Sequence, residues 1–132
     1  MSASTSVWCA AADAQALPYE DDSFDIVVAT FVFCSVPDPI QGLREARRVL
    51  RPGGSLILLE HVLSSRWWLR GPMRLIDPLA ARLCGAHIAR DTVANVRAAG
   101  FDDARVKPLM LDLVLQIISG PSAPLPAAPP DR

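Results

Sequence analysis

Residues 24–61 have the sequence FDIVVATFVFCSVPDPIQGLREARRVLRPGGSLILLEH, in which two apolar runs flank one helical pattern. The first run, Ile26 to Phe33, is almost continuously β-branched or aromatic, which is typical of a strand buried on both faces of a parallel sheet. The second run, Ser55 to Leu59, predicts a similar strand that ends at Glu60 and His61. Because the connections are short, the pattern predicts a right-handed strand–helix–strand unit and an α/β fold.

Start and stop signals bound the helix between the two strands. Asp38 is placed to cap the first turn, Pro39 suits the first helical position, and Gln41 follows three residues after the cap. Pro52 and Gly53-Gly54 stop the helix and turn the chain. The apolar residues between these signals recur at helical spacing, so one face of the helix is expected to pack on the sheet.

Weaker patterns on either side predict further elements. Val7–Ala12 is a short apolar run that predicts a strand ending at Asp13. Residues 119–132 include five prolines and predict a disordered tail, so the partial domain is expected to cover residues 1–118. After His61 the patterns predict a helix over 66–83, interrupted at Gly71-Pro72 and Asp77-Pro78, and a short helix over 91–99. They then predict strands over 104–108 and 110–118, which form an antiparallel pair at the sheet edge.

Composition narrows the class of protein. The 132 residues are 51% hydrophobic and 20% charged, which fits one globular domain. The net charge of −1 is unevenly placed, since residues 1–43 carry six acids and no Lys or Arg. The acidic N-terminal part suits a cationic ligand. The alternative is an acidic turn that happens to fall early in the chain. The sequence contains no basic patch interleaved with aromatic residues, so we expect no nucleic-acid partner.

The cysteines and the N-terminal residues indicate the cellular compartment and whether disulfides or a metal site are expected. Cys9, Cys34 and Cys84 are odd in number and widely spaced, so we expect neither a disulfide framework, nor a zinc site, nor any other metal. A reducing cytoplasm fits this usage best. Residues 1–7 lack the features of a signal peptide, and the longest apolar run is too short to span a bilayer.

Several short motifs occur in a fixed order along the chain: Ala-Asp-Ala-Gln-Ala-Leu-Pro-Tyr (12–19), Asp-Asp-Ser-Phe-Asp (21–25), Cys-Ser-Val-x-Asp-Pro (34–39), Leu-Arg-Pro-Gly-Gly (50–54) and Gly-x-His-x-x-Arg-Asp-Thr (85–92). Together they resemble the class I S-adenosylmethionine (SAM)-dependent methyltransferases typified by the ubiquinone and menaquinone biosynthesis C-methyltransferases. The resemblance covers about residues 8–118, and the branch that it resembles includes small-molecule, thiol and phospholipid methyltransferases. It implies a Rossmann-like sheet that is partial, from the third or fourth strand onward, and SAM as the cofactor.

The resemblance also implies which residues contact the cofactor. Asp13 would accept a hydrogen bond from the adenine amino group, which only donates, and Ala14 would offer its backbone N–H to the ring. The alternative for Asp13 is a turn aspartate. Phe33, Cys34 and Ser35 would line the cofactor and substrate site at the carboxyl end of their strand, where open α/β sheets bind ligands.

The acceptor side of the expected site is formed by residues after the second strand. Glu60 and His61 would face the substrate, and His61 or His87 would act as general base, because imidazole titrates near neutrality. A hydrogen-bonded structural histidine is the alternative in each case. Trp67 and Trp68 would cover an apolar acceptor, lie on a membrane surface, or pack into the sheet. Alignment supplies much of the rate of methyl transfer, so no catalytic triad is needed.

The sequence departs widely from the family, since it contains no Gly-x-Gly loop and also lacks the family's first strand, the acidic residue after its second strand and the helices between them. We therefore expect strand 26–33 to form an exposed apolar edge, and the chain to form a homodimer or to pair with a partner chain that supplies the missing half. Three interpretations remain: part of a methyltransferase acting on a small lipophilic molecule, a non-catalytic module that binds a partner, or a truncated gene product.

Overall fold

The computed structural model describes residues 6–61, 66–84, 91–109 and 113–120. These residues form an α/β fold with a four-stranded mixed sheet, and the predicted fold class is confirmed. The elements in chain order are β1 (Phe24–Thr30), α1 (Pro39–Val49), β2 (Leu50–His61), α2 (Trp67–Cys84), α3 (Thr92–Ala98), β3 (Arg105–Leu109) and β4 (Val114–Ser119).

The order of strands in the sheet is β1-β2-β4-β3. β1 and β2 are parallel, with Thr30 opposite Leu59, so the predicted strand–helix–parallel strand unit is confirmed. β4 is antiparallel to both of its neighbours, with Leu58 opposite Ile117. The predicted antiparallel pair at the C-terminal edge is therefore also confirmed, and β3 is the edge strand.

The core lies between α1 and the sheet. Asp38 caps α1 as predicted, because its carboxylate accepts the backbone N–H of Gln41 at 3.0 Å. The apolar face of α1 then buries Leu43, and Leu56 and Leu58 of β2 lie fully buried beneath it. The helix ends before Pro52, as the sequence indicates.

The expectation that the first strand is buried on both faces is wrong. Val27 packs against the core and Ala29 is buried, but Ile26 and Val28 are 50% and 65% exposed. Side chains alternate along a strand, so Ile26 and Val28 point to the face away from the core. None of the elements in the described ranges covers that face.

Two further expectations are corrected. Val7–Ala12 forms no strand and is exposed, because in the described part of the chain no strand pairs with it. The predicted interruptions of the second helix are also absent, since α2 runs through Pro72 and Pro78. Each proline removes one N–H donor and crowds a carbonyl one turn earlier. Those carbonyls belong to the exposed residues Trp68 and Arg74, where water can solvate them.

Candidate functional site

A tight turn follows β1 at the carboxyl end of the parallel strands. Phe31 opens it with a positive φ of 54°, a conformation that is uncommon for a residue other than glycine. The thiol of Cys34 donates to the carbonyl of Phe31 at 3.2 Å, and the N–H of Ser35 donates to the carbonyl of Val32 at 3.0 Å. Phe33 and Cys34 are buried and Ser35 is exposed. We call residues 31–35 the β1 turn.

Glu60, near the end of β2, stabilises the β1 turn by accepting hydrogen bonds from its backbone. Its side chain is fully buried, and its Oε1 accepts the backbone N–H groups of Val32 at 3.0 Å and of Phe33 at 3.1 Å. Burial raises the pKa of Glu60, while the backbone donors, which include Cys34, oppose this rise. Oε2 is buried and has no hydrogen-bond partner among the described residues. The carboxyl therefore fixes the turn and is not open to solvent.

His61 lies on the opposite face of β2 from Glu60, because neighbouring side chains of a strand alternate. Its imidazole is exposed and stacks on the ring of Phe31, with 4.5 Å between the ring centroids and 29° between the planes. The stacking limits the orientations of the imidazole while leaving its edge accessible. An oriented imidazole at this position can accept a proton from a bound acceptor.

Asp13 lies in a second turn that packs against the start of α1. Its Oδ1 accepts the N–H of Gln15 at 2.8 Å, and its carboxylate is exposed. The side-chain oxygen of Gln15 accepts the N–H of Asp38 at 2.8 Å, and the amide nitrogen of Gln41 donates to the carbonyl of Gln15 at 3.3 Å. Ala14 packs against the core. Gln15, which the sequence did not single out, therefore positions the turn that contains Asp13.

Gly42 brings the two turns together. A Cβ added to Gly42 would lie 2.9 Å from Cε1 of Phe33 and 3.5 Å from the carbonyl oxygen of Ala14. Any larger residue would push the β1 turn or the Asp13 turn away from α1. A glycine inside a helical pattern is the signal that could have identified this close approach from the sequence.

Two of the residues expected to contact the cofactor, Ala14 and Phe33, lie close together, and the roles of all five stay predictions. The carbonyl of Ala14 and the ring of Phe33 approach each other at Gly42, near the end of the sheet where β1 terminates, and Asp13 lies in the same turn as Ala14. An exposed carboxylate beside a packed apolar wall fits an adenine ring, whose amino group donates and whose faces are apolar.

The residues expected on the acceptor side are less closely grouped. Trp67 and Trp68 begin α2 and are 86% and 53% exposed, so neither packs into the sheet. His87 lies outside the described residues, and its role as a second general base stays a prediction.

A cleft of about 770 Å³ opens at the other end of the sheet, where β1 and β2 begin. Arg44 and Arg47 of α1 line it together with glycines. It contains none of the residues expected at the site, so we do not assign the methyl-transfer chemistry to it.

Comparison with known sequences identifies relatives of the chain. A family model described as a methyltransferase domain matches residues 2–58. The chain is 34% identical over 93 residues to thiol S-methyltransferase TMT1B of Rattus norvegicus, an alignment that covers 66% of this chain and 36% of the relative. It is 55% identical over 49 residues to the ubiquinone/menaquinone biosynthesis C-methyltransferase UbiE of Hahella chejuensis, covering 37% and 20% of the two chains. The chain thus spans 36% or less of the length of these curated relatives.

Solved structures share the fold. A SAM-dependent methyltransferase from Thermotoga maritima, described as a possible histamine N-methyltransferase, superimposes with a TM-score of 0.63 at 22% identity, covering 81% of this chain and 60% of that one. A SAM-dependent methyltransferase from Methanosarcina mazei gives a TM-score of 0.61 at 27% identity, covering 83% and 64%. These matches agree with the sequence motifs, and the chain belongs to the class I SAM-dependent methyltransferases.

Proposed function

We propose that this chain forms the adenine-binding and acceptor-binding side of an enzyme that transfers a methyl group from SAM to a small lipophilic molecule. The observation that carries the proposal is the meeting of the Asp13 turn and the β1 turn across Gly42. This approach supports the proposal because it lies at the carboxyl end of the parallel strands, where open α/β sheets bind ligands.

SAM, the cofactor implied by membership of the family, supplies a methyl group activated on a sulfonium. The chain's own residues would bind and orient it. Asp13 would accept the adenine amino hydrogen and Ala14 would donate its N–H, while the buried ring of Phe33 would support the turn behind them. Glu60 supports this arrangement by holding the N–H groups of the β1 turn.

We propose His61 as the general base. Its exposed imidazole lies above the β1 turn and is held by stacking on Phe31. As the sulfur or oxygen of a thiol or hydroxyl acceptor bonded to the methyl carbon and the bond from that carbon to the sulfonium broke, releasing S-adenosylhomocysteine, the imidazole would take the proton that the acceptor loses. A thiol acceptor is favoured because a relative at 34% identity is named a thiol S-methyltransferase.

We propose that another chain, or a second copy of this one, pairs with the exposed edge of β1. The two edges of the sheet support this. β3 carries Arg105, Lys107 and Pro108, which discourage strand addition, whereas β1 carries Asp25 as its one charged residue. The second candidate function, a non-catalytic module that binds a partner, rests on the same edge.

Calorimetric titration of the 132-residue chain with SAM and with S-adenosylhomocysteine tests the proposal. We expect binding, and we expect Asp13→Ala to weaken it about tenfold or more, because a hydrogen bond to a charged acceptor contributes about 1.5–3 kcal/mol. Asp102→Ala removes a matched exposed carboxylate of a turn and is expected to leave the affinity unchanged. Equal affinities of the Asp13→Ala and Asp102→Ala variants would exclude the adenine contact. Stable association with another protein without affinity for SAM would favour the non-catalytic module.

A further inference from the structure

Helix α2 presents an exposed apolar face that the proposed reaction does not use. Trp68, Leu75, Leu79 and Leu83 recur at spacings of seven, four and four residues, and Ile76 lies beside them. All five side chains are exposed. We call these five residues the outer stripe.

A different face of α2 contacts the rest of the protein. Met73 is buried, and Leu69, Asp77 and Ala80 are partly buried, again at spacings of three to four residues. The helix is therefore apolar on two sides, and a helix of this kind is normally buried. Only the inner side is covered by described residues, so the outer stripe is left facing solvent.

The charges of α2 indicate what covers the outer stripe. At helical spacing Arg82 borders the stripe, whereas Arg70 and Arg74 lie toward the other side of the helix. Residues 66–84 carry four arginines and one aspartate, a net charge of +3, and all four arginines are exposed: Arg66, Arg70, Arg74 and Arg82. The aspartate, Asp77, lies on the inner side. A second copy of α2 would bring together two helices of net positive charge, which is unfavourable. An apolar protein surface would also have to desolvate these guanidinium groups.

An anionic lipid surface meets both requirements. Tryptophan rings are favoured at the boundary between headgroups and acyl chains, and arginine stems can lie along this boundary with their charged ends among the phosphates. None of the helices that the structure describes is both long and apolar enough to cross a membrane. We propose that α2 lies flat on an anionic lipid surface, with the outer stripe inserted at the headgroup boundary.

Flotation of the 132-residue chain with vesicles tests this proposal independently of methyl transfer. Vesicles of phosphatidylcholine alone are compared with vesicles that also contain phosphatidylglycerol, at low and at high salt. We expect binding to the anionic vesicles, a blue shift of tryptophan fluorescence on binding, and weaker binding at high salt.

Paired variants assign the binding to α2. Trp68→Ser combined with Leu79→Ser should weaken vesicle binding about tenfold or more, because each buried apolar side chain contributes about 1.5–3 kcal/mol. Trp8→Ser is the control, since Trp8 is also an exposed tryptophan but lies outside α2. Far-UV circular dichroism should match the wild-type chain in every variant, because the outer stripe supports no described contact of the core.

Charge variants distinguish binding to anionic lipid headgroups from adsorption of apolar side chains to any vesicle. Arg74→Gln combined with Arg82→Gln should weaken binding to anionic vesicles about tenfold or more. Arg44→Gln combined with Arg47→Gln removes the same charge from α1 and should change binding less than about twofold. The proposal is overturned if wild-type chain does not float with anionic vesicles, if the α2 variants float as it does, or if the outer stripe instead mediates dimerisation.

Discussion

Glu60 shows how one buried side chain organises the candidate site. A carboxyl group without access to water is unfavourable when ionised, and only Oε1 of Glu60 is compensated by backbone donors in the described part of the chain. Burial accordingly raises its pKa. The β1 turn is therefore held by a group whose protonation state affects stability.

The sign of this effect gives a pH prediction. Because the pKa of Glu60 in the folded chain lies above its ordinary value of 4.5, the folded chain holds this proton more tightly than the unfolded chain. The contribution to stability is complete below about pH 4.5 and is lost as the pH rises through the raised pKa. We expect Glu60→Gln to gain stability relative to wild type as the pH increases, measured by urea unfolding from about pH 4.5 to about pH 8.

Glu20→Gln is the matched control for this experiment. Glu20 is exposed, so its replacement should shift the free energy of unfolding by nearly the same amount at every pH. The amide introduced by Glu60→Gln adds a buried donor, which changes stability by a constant and not by a pH-dependent amount. A difference between Glu60→Gln and wild type that stays constant with pH would contradict the prediction.

At the residue scale, the sequence predicted those roles that depend on near neighbours. Asp38 caps α1 because its partner, Gln41, is three residues away, and such a pattern is visible in the chain. Gln15 and Gly42 escaped prediction because their contacts join residues far apart in the sequence or depend on how closely a helix approaches two turns. The grouping of Asp13, Ala14 and Phe33 followed from the family resemblance and not from spacing.

At the element scale, α1 is the part that joins the sheet to both turns. Its inward face carries Gly42 at the one place where Phe33 and the Asp13 turn approach the helix. Glycine weakens an ordinary helix, so its presence here indicates that close packing outweighs helix propensity.

Two glycine-to-alanine replacements distinguish the effect of close packing from the effect of helix propensity. Gly42→Ala should destabilise the protein by about 1–3 kcal/mol, because the new methyl would overlap the ring of Phe33. Gly71→Ala in α2 meets no atom within 4 Å beyond its chain neighbours, and should change stability by less than about 1 kcal/mol, because the gain in helix propensity is offset by crowding against the ring of Pro72. Urea unfolding of both variants measures the difference. Equal effects of the two replacements would show that Gly42 is not a packing position.

The errors at the element scale share one cause. An apolar run predicts burial only if the structure provides an element to cover it. Ile26 and Val28 fit a doubly covered strand, yet the described chain covers one face. Pro72 and Pro78 predicted a broken helix, yet α2 continues because the affected carbonyls lie at exposed positions. Both outcomes depend on neighbours far away in the sequence, which local patterns do not contain.

At the scale of the whole molecule, the two edges of the sheet differ in their protection. Val28 of β1 and Val106 of β3 are both exposed, but charged residues and proline flank only Val106. An apolar edge without such protection favours pairing with another strand.

This asymmetry predicts that the chain self-associates through β1. We expect apparent mass to rise with concentration in sedimentation velocity, and Val28→Lys to shift the distribution toward monomer, because a lysine on an edge strand discourages strand addition. Val106→Lys places the same charge on the opposite edge and should leave the distribution unchanged. A monomer at every concentration, or equal effects of both lysines, would argue against pairing at β1.

The position of β4 in the sheet has a consequence for how the protein is made. β4 ends at Ser119 but lies between β2 and β3, so the chain between His61 and Val114 must be synthesised before β2 gains its second neighbour. At about 5–20 residues per second, β2 waits several seconds on the ribosome with one side unpaired. Pairing over such sequence distances is also slow, since the loop must close before the strand bonds can form. During this interval the apolar strand β2 is a natural target for a chaperone.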